Sequence, residues 1–211
     1  MKIEEINKIL FDKYGDLNWW PAKTPYEVIV GAILTQNTAW SNVEKALRNF
    51  PEITPEFVLN ETTESLAEII RPSGFFNQKA MYLKAVTEWY GRYGFSPMKI
   101  RESADKNGTP KVRAELLNIH GVGRETADSI LLYAFDLPVF LVDAYTKRLF
   151  NRMPVGAGKD YDEIRLFVEK TLDEKFYNNF HALIVINAKE YCRVKPFCEE
   201  CPLNLHCEKI L

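Results

Sequence analysis

Lys111-Val-Arg-Ala-Glu-Leu-Leu-Asn-Ile-His120-Gly121-Val122-Gly123-Arg124-Glu125-Thr126-Ala127-Asp128-Ser-Ile-Leu-Leu132 carries the strongest structural signal in the chain. An apolar helix ends, a Gly-Val-Gly turn follows, and a second helix begins with Ala127, Ile130, Leu131 and Ala134 on one face. Gly121 and Gly123 permit backbone geometry and close approach that a Cβ obstructs. The N–H groups at the start of the second helix form an anion site, which grips a phosphate without reading base sequence. An ordinary helix–helix turn uses the same residue types, and G-x-G alone is weak. The Arg124-Glu125-Thr126-Ala127 that follows strengthens the phosphate reading.

Outward from this turn the pattern stays helical. Val43, Ala46, Leu47 and Phe50 repeat the same spacing, as do segments within 78–90, 161–172 and 180–191. The expectation is an all-α chain of about ten helices. Val139–Val142, after Pro138, is the best candidate for a strand. Connectors are expected at Pro51 and Pro55, at Pro72-Ser73-Gly74, at Gly94–Pro97 and at 153–158.

The 211 residues hold 27 Lys+Arg and 29 Asp+Glu, a formal net charge of −2, with 46% hydrophobic and 13% aromatic residues. That composition describes a globular protein, neither disordered nor fibrous. The segment Asn49–Ile70 carries Glu52, Glu56, Glu61, Glu64 and Glu68 without one basic residue, so the remainder is net basic. Such a run is most simply a solvated helical face. Overall acidity therefore does not exclude nucleic acid. A partner held through its phosphates would be gripped modestly and in a salt-sensitive way. The start of the chain lacks the apolar core of a signal peptide, and no stretch reaches the length of a membrane span. The expectation is a cytoplasmic, nucleoid-associated monomer without a membrane partner.

Two further constellations carry chemistry. Cys192, Cys198, Cys201 and Cys207 fall in the last twenty residues, and in a reducing compartment this reads as a metal site and not as disulfides. Spacing leaves zinc and an iron–sulfur cube equally open. Arg193 and Lys195, inside the first loop, either meet phosphates or are solvated surface charge. Asp143, in Phe140-Leu-Val-Asp-Ala-Tyr-Thr-Lys147, follows an apolar run and opens the next helix. It reads both as an N-cap and as a carboxylate facing a cleft from a helix N-terminus, with Lys147 one turn on to pair with it or contact DNA.

The hairpin, the aspartate about twenty residues later and the four-cysteine loop, in that order, resemble the helix-hairpin-helix DNA glycosylase superfamily typified by endonuclease III. The resemblance spans almost the whole chain. It implies a [4Fe-4S] cluster in place of zinc, although the first cysteine spacing is one residue shorter than usual. It implies two α-helical domains: a continuous bundle over 22–136 with the hairpin, and a discontinuous one from 1–21 plus 137–211 with the cluster loop at 192–207. Double-stranded DNA with a damaged base is expected to lie across the cleft between them, contacted by Gly121, Gly123, Arg124, Asn37, Lys147, Arg193 and Lys195. Gln36 would fill the gap in the duplex, and its plainer role is a polar helix cap.

Departures narrow the resemblance. Bifunctional members place a Schiff-base lysine where this chain has Glu125. A carboxylate cannot form an iminium, so a monofunctional glycosylase is expected. His120 replaces the usual proline. Asn18-Trp19-Trp20-Pro21, Leu34-Thr-Gln36-Asn37-Thr38, Arg71–Ala80 and Glu125-Thr-Ala-Asp128 resemble the 3-methyladenine DNA glycosylase III branch, which removes alkylated bases in base excision repair. Trp19, Trp20 and Trp40 would line a pocket in which indole faces receive a cationic base, and core packing is the plainer role of such residues. Glu125 either contacts that pocket or merely occupies the vacated lysine position. After base flipping, Asp143 would stabilise the oxocarbenium-like sugar or orient the attacking water. Two rivals remain: an endonuclease III-type or mismatch-thymine glycosylase using another lysine such as Lys147, and a non-catalytic DNA-binding module.

Overall fold

The computed structural model describes residues 1–209. In chain order the helices are α1 (Ile3–Tyr14), α2 (Pro25–Leu34), α3 (Trp40–Arg48), α4 (Pro55–Asn60), α5 (Thr63–Ile69), α6 (Phe76–Gly91), α7 (Pro97–Asn107), α8 (Thr109–Leu117), α9 (Arg124–Phe135), α10 (Ala144–Arg152), α11 (Tyr161–Thr171) and α12 (Tyr177–Glu190). Short 3-10 turns lie at Arg71–Ser73, Glu174–Phe176 and Asn204–His206. The all-α class is observed: the described residues contain twelve α-helices and no strand. The excess over ten includes such pieces as α4 and α5, six and seven residues long, too short to display two turns of periodicity. Val139–Val142 is not a strand. It is a buried connector, and the N–H of Phe140 donates to the Glu169 carboxylate at 3.0 Å.

The expected connectors at Pro51 and Pro55 and at Gly94–Pro97 are observed, and each ends where a helix starts. Pro25, Pro55 and Pro97 each open a helix, and the hydroxyls of Thr24, Thr54 and Ser96 before them accept the N–H three residues on. Proline loses nothing at that position, because its missing N–H has no helical acceptor there, while the hydroxyl satisfies an orphan donor. Asp160 and Glu163 close a reciprocal capping box on α11.

The chain divides into two compact units, Ala22–Leu137 and Met1–Pro21 with Pro138–Leu211. In the first, α2 is the central helix: eight of its ten residues are buried, and it packs on α9 and α6. Trp89, Tyr90 and Phe135 join α6 to α9, with ring centroids 6.1 and 5.7 Å apart. Lys79, 2% exposed, donates from Nζ to the carbonyls of Leu34 at 2.8 Å and Ser73 at 2.7 Å. A cation thus closes the C-terminal end of α2, where unsatisfied carbonyls collect negative potential. Burial lowers the pKa of this ammonium to about 8. In the acidic stretch Glu52, Glu56, Glu64 and Glu68 are exposed and Glu61 is half-buried.

In the second unit α12 is the core helix, with Phe180, Leu183 and Ile184 fully buried and α1 and α10 packed on it. Asn179 receives the N–H of Leu17 at 3.0 Å and donates to the carbonyl of Gly15 at 3.1 Å, fixing the chain that leaves α1. No helix among the described residues is long and apolar enough to cross a membrane.

Candidate active site

The hairpin of the first unit is built from both ends. α8 stops at Leu117, the chain turns through Gly121 at φ +87°, and Gly123 becomes the N-cap of α9. The two glycines serve different purposes. A Cβ on Gly121 would meet the Tyr82 ring at 2.2 Å, whereas a Cβ on Gly123, in ordinary extended backbone, meets nothing within 4 Å. Packing therefore requires the first glycine, and nothing in the fold requires the second. Gly123, Arg124 and Glu125 are exposed while Val122 is buried, so the first turn of α9 presents its N–H groups outward.

Three contacts hold this turn. Gln36, just after α2, donates from Nε2 to the Gly121 carbonyl at 2.9 Å and to the Thr126 hydroxyl at 3.0 Å. Arg113 on α8 forms a two-pronged ion pair with Asp128 on α9, at 2.6 and 3.0 Å. Asp128 is 0% and Arg113 14% exposed, so removing either partner would strand a buried charge. His120 lies edge-on to Tyr82 at 5.4 Å.

Asp143, in the second unit, caps α10: Oδ1 accepts the N–H of Thr146 at 2.7 Å. Oδ2 lies 3.5 Å from Nε2 of His181 on α12, and the two side chains are 14% and 5% exposed. Burial pushes this carboxyl upward, but the hydrogen bond and charge of His181 and the bond from Thr146 outweigh it. The net direction is below the ordinary carboxylate value. The group is thus a fixed negative charge at a helix N-terminus, a position that favours an anion. Lys147 does not pair with Asp143; its Nζ sits 5.7 Å from the centroid of the Tyr161 ring.

The four cysteines line one small cavity with Arg152 and Tyr191. Among the described residues no three metal-ligating side chains converge as they would on a single ion. Arg152, at the end of α10, donates to Cys192 Sγ at 3.1 Å and to the Arg193 carbonyl at 2.9 Å. Arg148, one turn earlier, donates to the Cys192 carbonyl at 2.6 Å. One helix therefore starts at Asp143 and ends on the cysteine loop.

The remaining expected residues are scattered. Trp19 and Trp20 are half-buried in the second unit, and the ammonium of Lys189 lies 5.1 Å from a Trp19 ring centroid. Trp40 is half-buried at the first position of α3 in the other unit. Asn37 is exposed with φ +51°. Arg193 and Lys195 are exposed, and Arg193 stacks on Phe197 at 5.2 Å. Sequence reasoning missed His181, the bracing role of Gln36, the Arg113–Asp128 clamp and the grip of Arg148 and Arg152. Only His181 left a trace, as a polar residue within the apolar run of α12.

Comparison with known proteins agrees with this architecture. Residues 30–174 match the family model of the HhH-GPD superfamily base excision DNA repair protein. The chain is 50% identical over 212 residues to a provisionally named DNA repair glycosylase of Methanocaldococcus jannaschii, covering 97% of this chain and 95% of that one. It is 30% identical to endonuclease III of Thermotoga maritima, over 87% of this chain and 83% of the relative. Among solved structures, the H. pylori 3-methyladenine DNA glycosylase bound to 1,N6-ethenoadenine superposes with a TM-score of 0.74 at 31% identity, covering 90% of this chain and 98% of that one. With a helical hairpin, a capped and ionised aspartate and a four-cysteine loop in place, the chain belongs to the HhH-GPD superfamily of base excision DNA repair proteins and is a DNA glycosylase of that family.

Proposed function

We propose that this glycosylase is monofunctional and excises alkylated purines, 3-methyladenine among them, from double-stranded DNA. The observation that carries the chemistry is Asp143, largely shielded from solvent, bonded to the N–H of Thr146, 3.5 Å from Nε2 of His181 and held below the ordinary carboxylate range. A carboxylate so stabilised is a poor proton acceptor and a good fixed charge. It therefore serves the cationic sugar directly. The hairpin N–H groups at Gly123–Glu125 grip backbone phosphate, and the damaged nucleotide turns out of the stack. The bond between C1′ and the base nitrogen breaks, and its electron pair leaves with the base. An alkylated purine that is already cationic departs as a neutral molecule. The carboxylate of Asp143 balances the positive charge left on the sugar until water adds at C1′ and releases its proton.

Glu125 stands at the first turn of α9 where bifunctional relatives carry lysine, which supports hydrolysis without strand cleavage. The similarity to the H. pylori enzyme supports an alkylated purine as substrate. Trp19 and Trp20, in the unit that carries Asp143, are the aromatic candidates to stack on that base.

Cys192, Cys198, Cys201 and Cys207 would hold a [4Fe-4S] cluster. Four thiols that line one cavity, with Arg152 and Tyr191 beside them, fit such a group. The cluster would supply a covalent staple for the loop that Arg148 and Arg152 join to α10.

The test is a panel of duplexes bearing 3-methyladenine, 7-methylguanine, 1,N6-ethenoadenine, an oxidised pyrimidine or a G·T mismatch. Release of alkylated purine without borohydride-trappable adduct is the expected result. Release confined to oxidised pyrimidine or thymine, or a trapped adduct at Lys147, would refute the assignment.

A further inference from the structure

Asn187 is fully buried on α12, one and a half turns before Cys192, and the glycosylase chemistry does not use it. Its Oδ1 lies 3.9 Å from Cys201 Sγ, which as a thiol donates to it. The Tyr14 hydroxyl reaches the same oxygen at 3.5 Å and Glu190 Oε2 more closely, at 3.0 Å. The amide nitrogen has no hydrogen-bond partner. A buried donor left unmade costs about 1–3 kcal/mol, and such an atom calls for an acceptor that the protein itself does not provide.

Cluster binding changes what Cys201 offers. A coordinating cysteine is a thiolate, an acceptor with no proton to give, and a carbonyl oxygen facing it is then repelled. Turning the amide by half a rotation about its last bond brings Nδ2 to the sulfur and moves Oδ1 away. Tyr14 keeps Glu190 as its acceptor. One rotation thus gives the amide donor an acceptor and removes the repulsion, while Oδ1 takes the position that Nδ2 leaves.

We propose that Asn187 donates an N–H···S hydrogen bond to the Cys201 thiolate of the loaded cluster and sets its reduction potential. This rests on the iron–sulfur reading of the four cysteines. Hydrogen bonds to cluster sulfurs tune the potential, because a donor stabilises the more electron-rich state. Removing one lowers the midpoint.

The test is Asn187→Leu, which keeps the branching and the number of side-chain heavy atoms and deletes the donor, studied as purified holoprotein by film voltammetry with the cluster followed by its visible absorption. The expected result is a full cluster whose midpoint lies at more negative potential. A tenfold change in the relative stability of the two states corresponds to about 59 mV for one electron. A full cluster with an unchanged midpoint overturns the proposal and leaves the cluster reading standing. Wild-type protein that purifies colourless with zinc overturns both. If the leucine variant does not load, holoprotein labelled with 15N-asparagine decides, with Asn204→Ser removing the asparagine that lines the cavity. A 15N coupling to the reduced cluster supports the bond, and its absence overturns it.

Discussion

Replacing each hairpin glycine by alanine separates what the fold needs from what the ligand needs. At Gly121 two costs add. An alanine at φ +87° sits in a region that costs a non-glycine residue about 1–3 kcal/mol. Its Cβ also falls 2.2 Å from the Tyr82 ring, and overpacking of this kind costs about 1–3 kcal/mol. Loss of glycine's freedom in the unfolded chain returns about 0.4–1 kcal/mol, leaving a net destabilisation of about 1–6 kcal/mol. For a chain of this length that lowers the melting midpoint on the order of 10 °C. At Gly123 the backbone is extended and a Cβ meets nothing within 4 Å. The unfolded-state gain there and the modest preference for glycine over alanine at an N-cap nearly cancel, so stability changes by less than about 1 kcal/mol. That Cβ would stand instead where a phosphate approaches the first turn of α9. Gly123→Ala should therefore melt like the wild type yet bind duplex DNA more weakly, with the loss shared by damaged and undamaged sequences. Differential scanning calorimetry and fluorescence anisotropy at fixed salt are the assays. Tyr82→Ala in the Gly121→Ala background should recover the steric part, about 1–3 kcal/mol of coupling. Equal destabilisation by the two glycine changes would refute this account of the hairpin, as would unaltered DNA affinity in Gly123→Ala.

Asp143→Asn keeps a good N-cap, so its stability should hold within about 1 kcal/mol while base release falls by about 10²–10³-fold; single-turnover release from alkylated duplex measures this. Glu125→Lys should introduce a borohydride-trappable adduct on duplex carrying an abasic site, and complete absence of trapping would show that the lysine position alone does not confer lyase chemistry. Lys79 has a folded pKa of about 8 against an ordinary 10.5. Between those values the unfolded chain holds a proton that the folded chain has released, so this residue makes stability rise with pH. The gain approaches about 3 kcal/mol at completion. Urea denaturation of wild type and Lys79→Met at several pH values isolates the effect from titrating tyrosines and cysteines. The difference between the two curves should grow from pH 8 to 10, and parallel curves would refute the assignment.

The residues that could be read in the chain and those that could not differ in one physical respect. Gly121 and Gly123 flank a turn whose geometry is a property of adjacent peptide units. Asp143 caps a helix through an N–H three residues away, and the thiols of the C-terminal loop lie within sixteen residues of one another. Each is a short-range relation, visible as spacing. Pro55 and Pro97 close the connectors read from them and also open helices, because the residue that breaks a helix interior can begin one. The pieces α4 and α5 were illegible because a helix of under two turns buries too few residues to show a period.

By itself the sequence determined the all-α class, the place of the hairpin, the aspartate that opens α10 and the four-thiol loop, since propensity, capping and turn chemistry act over a few residues. Tertiary structure alone decided that His181 and not Lys147 would face Asp143, that Gln36 would brace a glycine eighty-five positions away, that Tyr82 would make Gly121 obligatory, and that Arg152 would reach the sulfur of Cys192. Those contacts exist because helices distant in the chain bury apolar faces against one another within each unit. That burial brings together polar groups whose separation in sequence carries no trace of their meeting.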